Sequence, residues 1–193
     1  MNSVLKQFDF DVAIIGGGSG GYAAARTAAG AGLNTVVIEG GKEVGGLCIL
    51  RGCMPTKALL YAADVIHLAR HANTWGIRAP EVSFDFGQVM ARKNTLIKEC
   101  ADDRVQQLIS GKFKFIRALA RFVDPHTLAL SNGDTLTAGN FIISTGSVVS
   151  QPPLPQLKQT GYLTSDEALT LMEPPKSLIV LGGGAVAVEF AQF

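Results

Sequence analysis

Apolar residues in the opening part of the sequence change from a strand pattern to a helix pattern and back. A short β-rich run, DVAIIGGG, begins at Asp11, and the alanine-rich segment that follows stops at Gly30 and Gly32. A second short apolar run, Val36 to Ile38, ends at Glu39. Short apolar runs bounded by glycine are typical of buried strands. The pattern therefore predicts a strand, a tight turn, a helix and a second strand.

Two later segments carry apolar residues at helical spacing. The first extends from Pro55 to about His71, and proline is tolerated in the first turn of a helix. The second extends from Ser83 to Gly111, which closes it. We predict a helix over each segment.

The composition changes after Gly111. Short alternating runs with turn signals at Asp124-Pro125 and Asn132-Gly133 predict a small antiparallel meander followed by one more buried strand. A proline-rich connector, GSVVSQPPLPQL, follows at residues 146–157. After it, PPKSLIVLGGGAVAVEF repeats the opening pattern of strand, glycines and small-residue helix.

These patterns predict an α/β protein with two Rossmann-like parts. Residues 1–150 would form a nucleotide-binding domain with a parallel sheet, helices and the small antiparallel meander. Residues 151–193 would form a connector and the truncated start of a second such domain. The second strand-turn-helix pattern has no partner strand before Phe193, so we expect the chain to be a fragment of a longer protein.

Composition and charge argue against several classes of partner. The 193 residues are 47% hydrophobic, enough for a buried core, and 17 basic side chains nearly balance 16 acidic ones. No basic run favours nucleic acid or an anionic membrane. The N-terminus does not resemble a signal peptide, and no apolar stretch approaches the roughly 20 residues that span a bilayer. We therefore expect a soluble, cytoplasmic protein with a small-molecule ligand.

Three glycines at the first turn fit a nucleotide-binding motif. Gly16, Gly18 and Gly21 form G-x-G-x-x-G between the predicted strand and helix. The first glycine permits the tight turn, the second lets the backbone approach a pyrophosphate, and the third lets helix and strand pack closely. Glu39, at the end of the second strand, is placed to bind a ribose. The alternative is a turn that only serves packing, and the register of all these features favours dinucleotide binding.

A second glycine motif near the C-terminus has the same form. Gly182, Gly184 and Ala187 repeat the spacing, and alanine in the third position still permits close helix packing. Two such sites in one chain indicate two cofactors in electronic contact. A residue that reads the second ribose would have to lie after Phe193, so the pattern does not distinguish NAD from NADP.

Cys48 and Cys53 suit three kinds of site: a metal-binding site, a structural disulfide or a redox-active pair. Three cysteines cannot form a full disulfide framework, and a reducing compartment disfavours a structural disulfide. Structural zinc needs four cysteine or histidine ligands. The other candidate ligands are Cys100, His67, His71 and His126. The histidines one helical turn apart are more typical of a packed or solvated helix face, and we predict no metal site.

The spacing of the two cysteines constrains the backbone. In a regular helix, residues five apart have Cα atoms about 8.6 Å from each other, whereas a disulfide needs less than about 7 Å. If the cysteines bond, residues 48–53 cannot form a plain helix, and Gly52 would help the chain to bend. Cys53 would then precede the helix that Pro55 opens, where the helix dipole and Lys57 favour the thiolate form.

The cysteine motif and both glycine motifs resemble those of one enzyme family. GGLCILRGCMPTK, residues 45–57, is similar to the G-G-T-C-x-x-x-G-C-x-P-[ST]-K motif of the pyridine nucleotide-disulfide oxidoreductases, which are flavoprotein disulfide reductases. STGS, residues 144–147, resembles the strand-end A-T-G motif that touches the flavin. Residues 164–193 resemble the entry to the NAD(P) domain. The resemblance covers essentially the whole chain but less than half of a typical family member.

The resemblance implies a role for each motif. The complete protein would be a homodimer that uses FAD and NAD or NADP to exchange electrons with a small dithiol or disulfide substrate. Cys53 would face the flavin as the charge-transfer thiol, and Cys48 would meet the substrate. Lys57 would lie by the flavin ring and pair with Glu189. The residues expected at the cofactors are Gly16, Gly18, Gly21, Glu39, Gly46, Lys57, Thr145 and Gly146 for FAD, and Gly182 and Gly184 for NAD(P).

Departures from the family pattern narrow the expected activity. Leu47 replaces the usual threonine and Arg51 a usually apolar residue beside the cysteines. Ala185 stands where glutathione reductases carry a tyrosine, which favours the dihydrolipoamide dehydrogenase and mercuric reductase branches. The C-terminal His-Glu acid-base pair of the family has no counterpart in these 193 residues.

We therefore expect dihydrolipoamide dehydrogenase-like activity in the complete protein. The alternatives are mercuric-type metal-ion reduction and a non-catalytic flavin- or nucleotide-binding module. We expect the 193 residues alone to be inactive in NAD(P)H turnover and to bind FAD weakly.

Overall fold

The computed structural model describes residues 8–193, which separate into two compact units. The sheet unit comprises the chain up to Leu47 together with Ala101–Ser147. The dithiol unit comprises Cys48–Cys100 together with Val148–Phe193. The domain boundary near residue 150 stays a prediction.

The sheet unit is built on six strands and confirms the predicted strand, turn, helix and second strand. Strand β1 is followed by helix α1, Ser19–Gly30, and then by β2. The sheet has the order β3-β2-β1-β6-β5-β4. The strands are β1 Phe10–Ile15, β2 Thr35–Glu39, β3 Lys114–Arg117, β4 Ala120–Asp124, β5 Thr127–Leu130 and β6 Thr135–Ile143.

The last strand of the sheet unit corrects the predicted meander. Strand β6 pairs antiparallel with β5 near its start, at Thr137, and parallel with β1 near its end, at Ile142. The predicted meander strand and the predicted separate buried strand are therefore one strand. Strand β3 pairs parallel with β2 and so lies outside the meander. The end of β6 is also less buried than expected, since Ile143 is 69% exposed.

Both faces of the parallel strands are buried. Successive side chains of a strand point to opposite faces, so Ala13 packs in one cluster and its neighbours Val12 and Ile14 in the other. The first cluster also includes side chains of β5 and β6, and the second includes Ala25 of α1. This burial explains why β1 and β2 appear in the sequence as continuous apolar runs rather than alternating ones.

The dithiol unit is mainly helical and confirms two long helices. Helix α3 begins at Cys53. The sequence pattern predicts its start two residues later, at Pro55. Helix α4 begins at Phe86, close to its predicted start, and its last residues belong to the sheet unit. The helices are α2 Gly46–Leu50, α3 Cys53–Arg70, α4 Phe86–Ile109, α5 Ser165–Ala168 and α6 Ala185–Gln192, with 3-10 turns at Ala72–Trp75 and Pro155–Gln159.

The strand predicted before the second glycine motif does not form. Residues 178–181 have no strand partner in the described part of the chain, and Ile179 is 94% exposed. A strand needs a neighbour for its backbone hydrogen bonds. The apolar pattern therefore produces no strand here, whereas the small-residue helix that follows it, α6, is present.

A buried lysine lies beside the core of the dithiol unit. That core comprises Leu59, Met90 and Leu169. Lys93 is only 5% exposed, and its Nζ donates a hydrogen bond to the Leu169 carbonyl oxygen at 2.6 Å. Burial lowers the pKa of Lys93 because it disfavours the charged ammonium.

Within residues 8–193, no helix is both long enough and apolar enough to cross a membrane.

The buried amine predicts a pH-dependent contribution to stability. Since the pKa of Lys93 is lower in the folded chain than its ordinary 10.5, the unfolded chain binds more protons between the two values. The parent should therefore gain stability relative to Lys93→Met as the pH rises toward 10.5. The gain is about 1.4 kcal/mol for each unit by which the pKa is lowered. Urea unfolding of both proteins at a series of pH values from 7 to 10.5 measures this gain.

Lys176→Met is the matched control, because Lys176 is an exposed lysine of the same unit. The difference in free energy of unfolding between this variant and the parent should stay constant over the same pH range. The prediction is contradicted if the free energy of unfolding of the parent, minus that of Lys93→Met, stays constant or falls as the pH rises.

Candidate active site

The first glycine of the nucleotide motif is fixed by a backbone contact with the end of β6. Gly16 has φ +108°, a conformation that side chains rarely adopt. A Cβ at this position would lie 2.1 Å from the Ser144 carbonyl oxygen. The Ser144 N-H also donates to the Ile15 carbonyl oxygen at 2.8 Å. The predicted STGS segment is therefore held against the turn.

The other glycines of the turn also lie at backbone contact distance. A Cβ on Gly21 would lie 1.8 Å from the Gly16 carbonyl oxygen. A Cβ on Gly46 would lie 2.6 Å from the Gly18 Cα, and Gly46 has φ +70°. The sequence placed Gly46 in the cysteine motif, and the structure brings it to the nucleotide turn. These contacts leave no room for side chains at Gly16, Gly21 and Gly46, so backbone meets backbone at these three positions.

The N-terminal end of α1 suits a pyrophosphate. Gly18 is its N-cap residue and supplies no side-chain hydrogen bond, and the first turn of the helix has no acidic residue. The first N-H groups of a helix lack partners within the helix and carry its positive dipole end. The bare glycine turn and this helix end together fit the diphosphate of a dinucleotide.

Glu39 contacts the glycine turn directly. Its Oε2 accepts a hydrogen bond from the Gly17 N-H at 2.8 Å, and its Oε1 accepts one from the Gly41 N-H at 2.6 Å. The sequence predicted a ribose ligand here and missed this second role. Each carboxylate oxygen accepts more than one hydrogen bond, so ribose hydroxyls can still bind. Glu39 therefore both orients the turn and remains suitable for a ribose.

Thr145 and Gly146 follow the end of β6 beside the turn. The Thr145 nitrogen would lie 3.2 Å from a Cβ on Gly16. Gly146 has φ +82°, and a Cβ there would meet no atom within 4 Å. The structure thus brings the predicted flavin-contacting segment and the first glycine motif together in the sheet unit.

In the dithiol unit, the helix breaks between the two cysteines. Helix α2 ends at Leu50 and α3 begins at Cys53, with Gly52 at φ −136° and ψ −115°. The backbone over residues 48–53 is therefore not a plain helix, as a bond between the two cysteines would require. The Cys48 side chain is half-buried, and Cys53 is exposed at the first residue of α3.

Lys57 and Glu189 form the ion pair that the family resemblance implies. The Lys57 Nζ donates to the Glu189 Oε1, although the residues are 132 positions apart. Lys57 follows Cys53 by four positions, so the two lie on the same face of α3. A second contact, from Gln192 Nε2 to Asp64 Oδ1 at 2.9 Å, also joins α6 to α3. The pair is therefore part of a two-point contact between these helices.

Arg51, between the cysteines, has a partner that sequence reasoning missed. Its Nη1 lies 3.7 Å from the Asp166 Oδ2, and the arginine side chain is 61% exposed. Asp166 is positioned by the first turn of α5, where Thr164 and Glu167 form a capping box. A Thr-x-x-Glu spacing in the sequence was the available signal for this turn.

The second glycine motif has the backbone shape of a nucleotide turn. Gly182 has φ +132°, and Gly184 is the N-cap residue of α6. The contacts are looser than in the first motif, since the nearest atom to a Cβ on Gly182 is the Ala187 Cβ at 3.8 Å. A Cβ on Gly184 would meet no atom within 4 Å. NAD(P) binding at these residues stays a prediction.

No group of three or more histidine, cysteine or acidic side chains in the described part of the chain is arranged to hold a metal ion.

Comparison with known sequences decides the family. Residues 10–193 match the sequence profile described as pyridine nucleotide-disulphide oxidoreductase. The chain belongs to this family. Both glycine motifs and the dithiol lie within the matched region, so the resemblance inferred from the cysteine motif is confirmed.

Relatives of this family member include two kinds of reductase. The dihydrolipoyl dehydrogenase of Bacillus subtilis is 37% identical over 195 residues, covering 95% of this chain and 41% of the relative. The mercuric reductase of Streptomyces lividans is 39% identical over 189 residues, covering 95% of this chain and 40% of the relative. The chain therefore spans about two fifths of the length of these relatives.

A solved structure supports the fold of this family member. The HOCl-induced flavoprotein disulfide reductase RclA from Escherichia coli matches with a TM-score of 0.76 and 30% identity. The match covers 94% of this chain and 38% of that one. The Rossmann-like fold of a flavoprotein disulfide reductase is thus confirmed, and the chain corresponds to less than half of such a protein.

The glycine contacts predict opposite effects for two substitutions in α1. Gly21→Ala places a methyl group into the Gly16 carbonyl oxygen, so the free energy of unfolding should fall by about 3 kcal/mol or more. Gly30→Ala is the matched control, because a Cβ there meets no atom within 4 Å and Gly30 is helical. Its stability should rise by up to about 1 kcal/mol. Chemical denaturation of both variants and the parent measures the difference, and equal stabilities would contradict the close contact.

Proposed function

We propose that the complete protein is an FAD- and NAD(P)-dependent dithiol/disulfide oxidoreductase of the dihydrolipoamide dehydrogenase type. The observation that carries this proposal is the dithiol across a helix break, with the Lys57–Glu189 ion pair one turn beyond Cys53. Family membership and the similarity to dihydrolipoyl dehydrogenase support it.

The sheet unit would hold the FAD. Gly16, Gly18 and Gly46 would line the pyrophosphate site at the N-terminal end of α1, and Gly21 would keep α1 close to the turn. Glu39 would bind the adenosine ribose with the lone pairs that its two backbone hydrogen bonds leave available.

Other predicted residues would complete the cofactor sites. Thr145 and Gly146 would border the flavin, and Gly182 and Gly184 would form the turn for NAD or NADP. The flavin, when bound, supplies two-electron transfer between the nicotinamide and the dithiol.

The two thiols would divide the exchange reaction between them. In the reductive direction, the Cys48 thiolate attacks a substrate disulfide, forms a mixed disulfide and releases one substrate thiolate. The Cys53 thiolate then attacks the Cys48 sulfur, which releases the second substrate thiolate and leaves a Cys48–Cys53 disulfide. The dithiol is oxidised by two electrons and the substrate disulfide is reduced by two. The reverse sequence oxidises a dithiol substrate.

Lys57 and Glu189 would act on the charges that this chemistry creates. Lys57 follows Cys53 by one helical turn, so its ammonium favours negative charge near that thiol. Glu189 compensates and orients the lysine through their ion pair. In this proposal the pair stabilises the thiolate without supplying a proton.

Mercuric-ion reduction is a second candidate, favoured by the 39% identity to the mercuric reductase of Streptomyces lividans. Such a reaction would deliver the electrons of the same dithiol to a thiolate-bound metal-ion substrate.

A cytoplasmic location, a homodimer and a small-molecule substrate complete the proposal for the full protein.

The 193 residues by themselves have a narrower proposed role. They span about two fifths of the relatives' length, and residues 178–181 have no strand partner in the described chain. We infer that they do not turn over NAD(P)H and bind FAD weakly, as a non-catalytic nucleotide-binding module would. A yellow preparation with stoichiometric FAD would contradict the weak binding.

Replacement of each thiol in the complete reading frame tests the redox proposal. Cys48→Ser and Cys53→Ser should each lower dihydrolipoamide turnover at least about a thousandfold, because each removes one partner of the exchange. Dithionite titration should show a thiolate-to-flavin charge-transfer band that Cys53→Ser lacks. Dihydrolipoamide, glutathione disulfide and mercuric ion are assayed in parallel to distinguish the substrates.

Cys100→Ser is the matched control, since Cys100 lies within α4 and outside the motif. It should retain turnover and the charge-transfer band. Unchanged dithiol turnover in both Cys48→Ser and Cys53→Ser would overturn the proposed function. Turnover of mercuric ion without dihydrolipoamide would instead favour the second candidate.

A further inference from the structure

The C-terminal end of α3 brings two histidine side chains together. His67 lies in the last turn of α3, and His71 is the residue that caps it. Their ring centroids are 4.3 Å apart, with an angle of 30° between the ring planes. Both side chains are exposed. The sequence alone predicts no metal site here; from the ring contact we propose instead that His67 and His71 form a surface chelate for one divalent first-row transition-metal ion, independently of the proposed redox function.

The ring separation suits two ligands on one ion. Imidazole nitrogens coordinate such ions at about 2.1 Å, so two on adjacent coordination positions are about 3 Å apart. Each ring nitrogen lies roughly 1 Å from its ring centre, so a centroid separation of 4.3 Å is compatible with two ring nitrogens about 3 Å apart. The His67 side chain is exposed and can rotate to bring its nitrogen to this distance while the His71 ring stays in place.

A hydrogen bond selects the tautomer that binds metal. The His71 Nδ1 lies 2.8 Å from the His67 carbonyl oxygen. A carbonyl oxygen only accepts, so Nδ1 is the donor and carries the proton. The neutral ring then has its lone pair on Nε2. Metal-ligating histidines commonly hold their second ring N-H on a backbone carbonyl in this way, which fixes the ring and its ligating nitrogen.

The surrounding charges favour a cation at this end of α3. The last carbonyl groups of a helix carry its negative dipole end. Asp64 lies one turn before His67 on the same stripe of the helix and adds a carboxylate. Arg70 is the opposing charge in this turn, and its side chain is exposed to solvent, which screens it.

The proposed chelate is separate from the dithiol. His67 follows Cys53 by fourteen positions on the same helix, which corresponds to about 21 Å along its axis. The two groups can therefore be tested separately. Imidazole pairs suit Cu²⁺, Ni²⁺ and Zn²⁺, whereas Mg²⁺ and Ca²⁺ prefer oxygen ligands.

Calorimetric titration with Ni²⁺ tests the chelate. All cysteines are first alkylated with iodoacetamide, so that thiolates do not compete for the ion. The parent should bind one Ni²⁺ per chain, and His67→Ala and His71→Ala should each weaken the affinity at least about tenfold, because one imidazole cannot chelate. Ni²⁺ should also broaden the NMR signals of these two rings before those of any other side chain. Mg²⁺ should give no binding.

His126→Ala is the matched control. The His126 Nδ1 also contacts a backbone carbonyl oxygen, that of Ala138 at 3.0 Å, but His126 belongs to the sheet unit and the histidine pair to the dithiol unit. This variant should bind Ni²⁺ as the parent does. No binding by the parent, or equal affinity in the parent, His67→Ala and His71→Ala, would overturn the proposal. The outcome is separate from dithiol turnover, so failure of one proposal leaves the other intact.

Discussion

Contact between backbone atoms at the first glycine turn is the constraint on which the sheet unit depends. The Gly16 carbonyl lies where a Cβ of Gly21 would be, and the Ser144 carbonyl lies where a Cβ of Gly16 would be. Because no side chain separates these segments, α1, β1 and the end of β6 are fixed relative to one another. The same bareness exposes the N-terminal end of α1 to a phosphate. The close packing of the turn and the proposed nucleotide site thus have one cause.

The dithiol unit applies a different constraint to its own site. The break after α2 gives Cys48 and Cys53 different environments, one half-buried and one exposed at a helix N-terminus. Contacts from α6 and α5 then surround the motif with paired charges, Lys57 with Glu189 and Arg51 with Asp166. Unequal thiols are what a two-step exchange requires, because one sulfur meets the substrate and the other resolves it.

Local patterns were sufficient for elements whose partners are close in sequence or whose motifs are specific. The strand, turn, helix and strand around Gly16 could be predicted because the spacing of apolar residues, the glycine positions and Glu39 all indicate the same local structure. The apolar run at residues 178–181 shows the opposite case. Its pattern is that of a strand, but hydrogen bonding in a sheet requires a neighbour, and the described chain supplies none.

The sequence by itself determined the glycine turn, the cysteine motif and the family to which they belong. Spacing and residue type are enough for these, because each motif is a short segment with a local geometry. Only the tertiary structure decided that β6 is one strand with two kinds of partner, that Gly46 contacts Gly18, and that Asp166 meets Arg51. The same holds for the bond from the Gly17 N-H to Glu39. These contacts join residues distant in sequence, and no local pattern specifies which distant backbone or side chain will fill a given space.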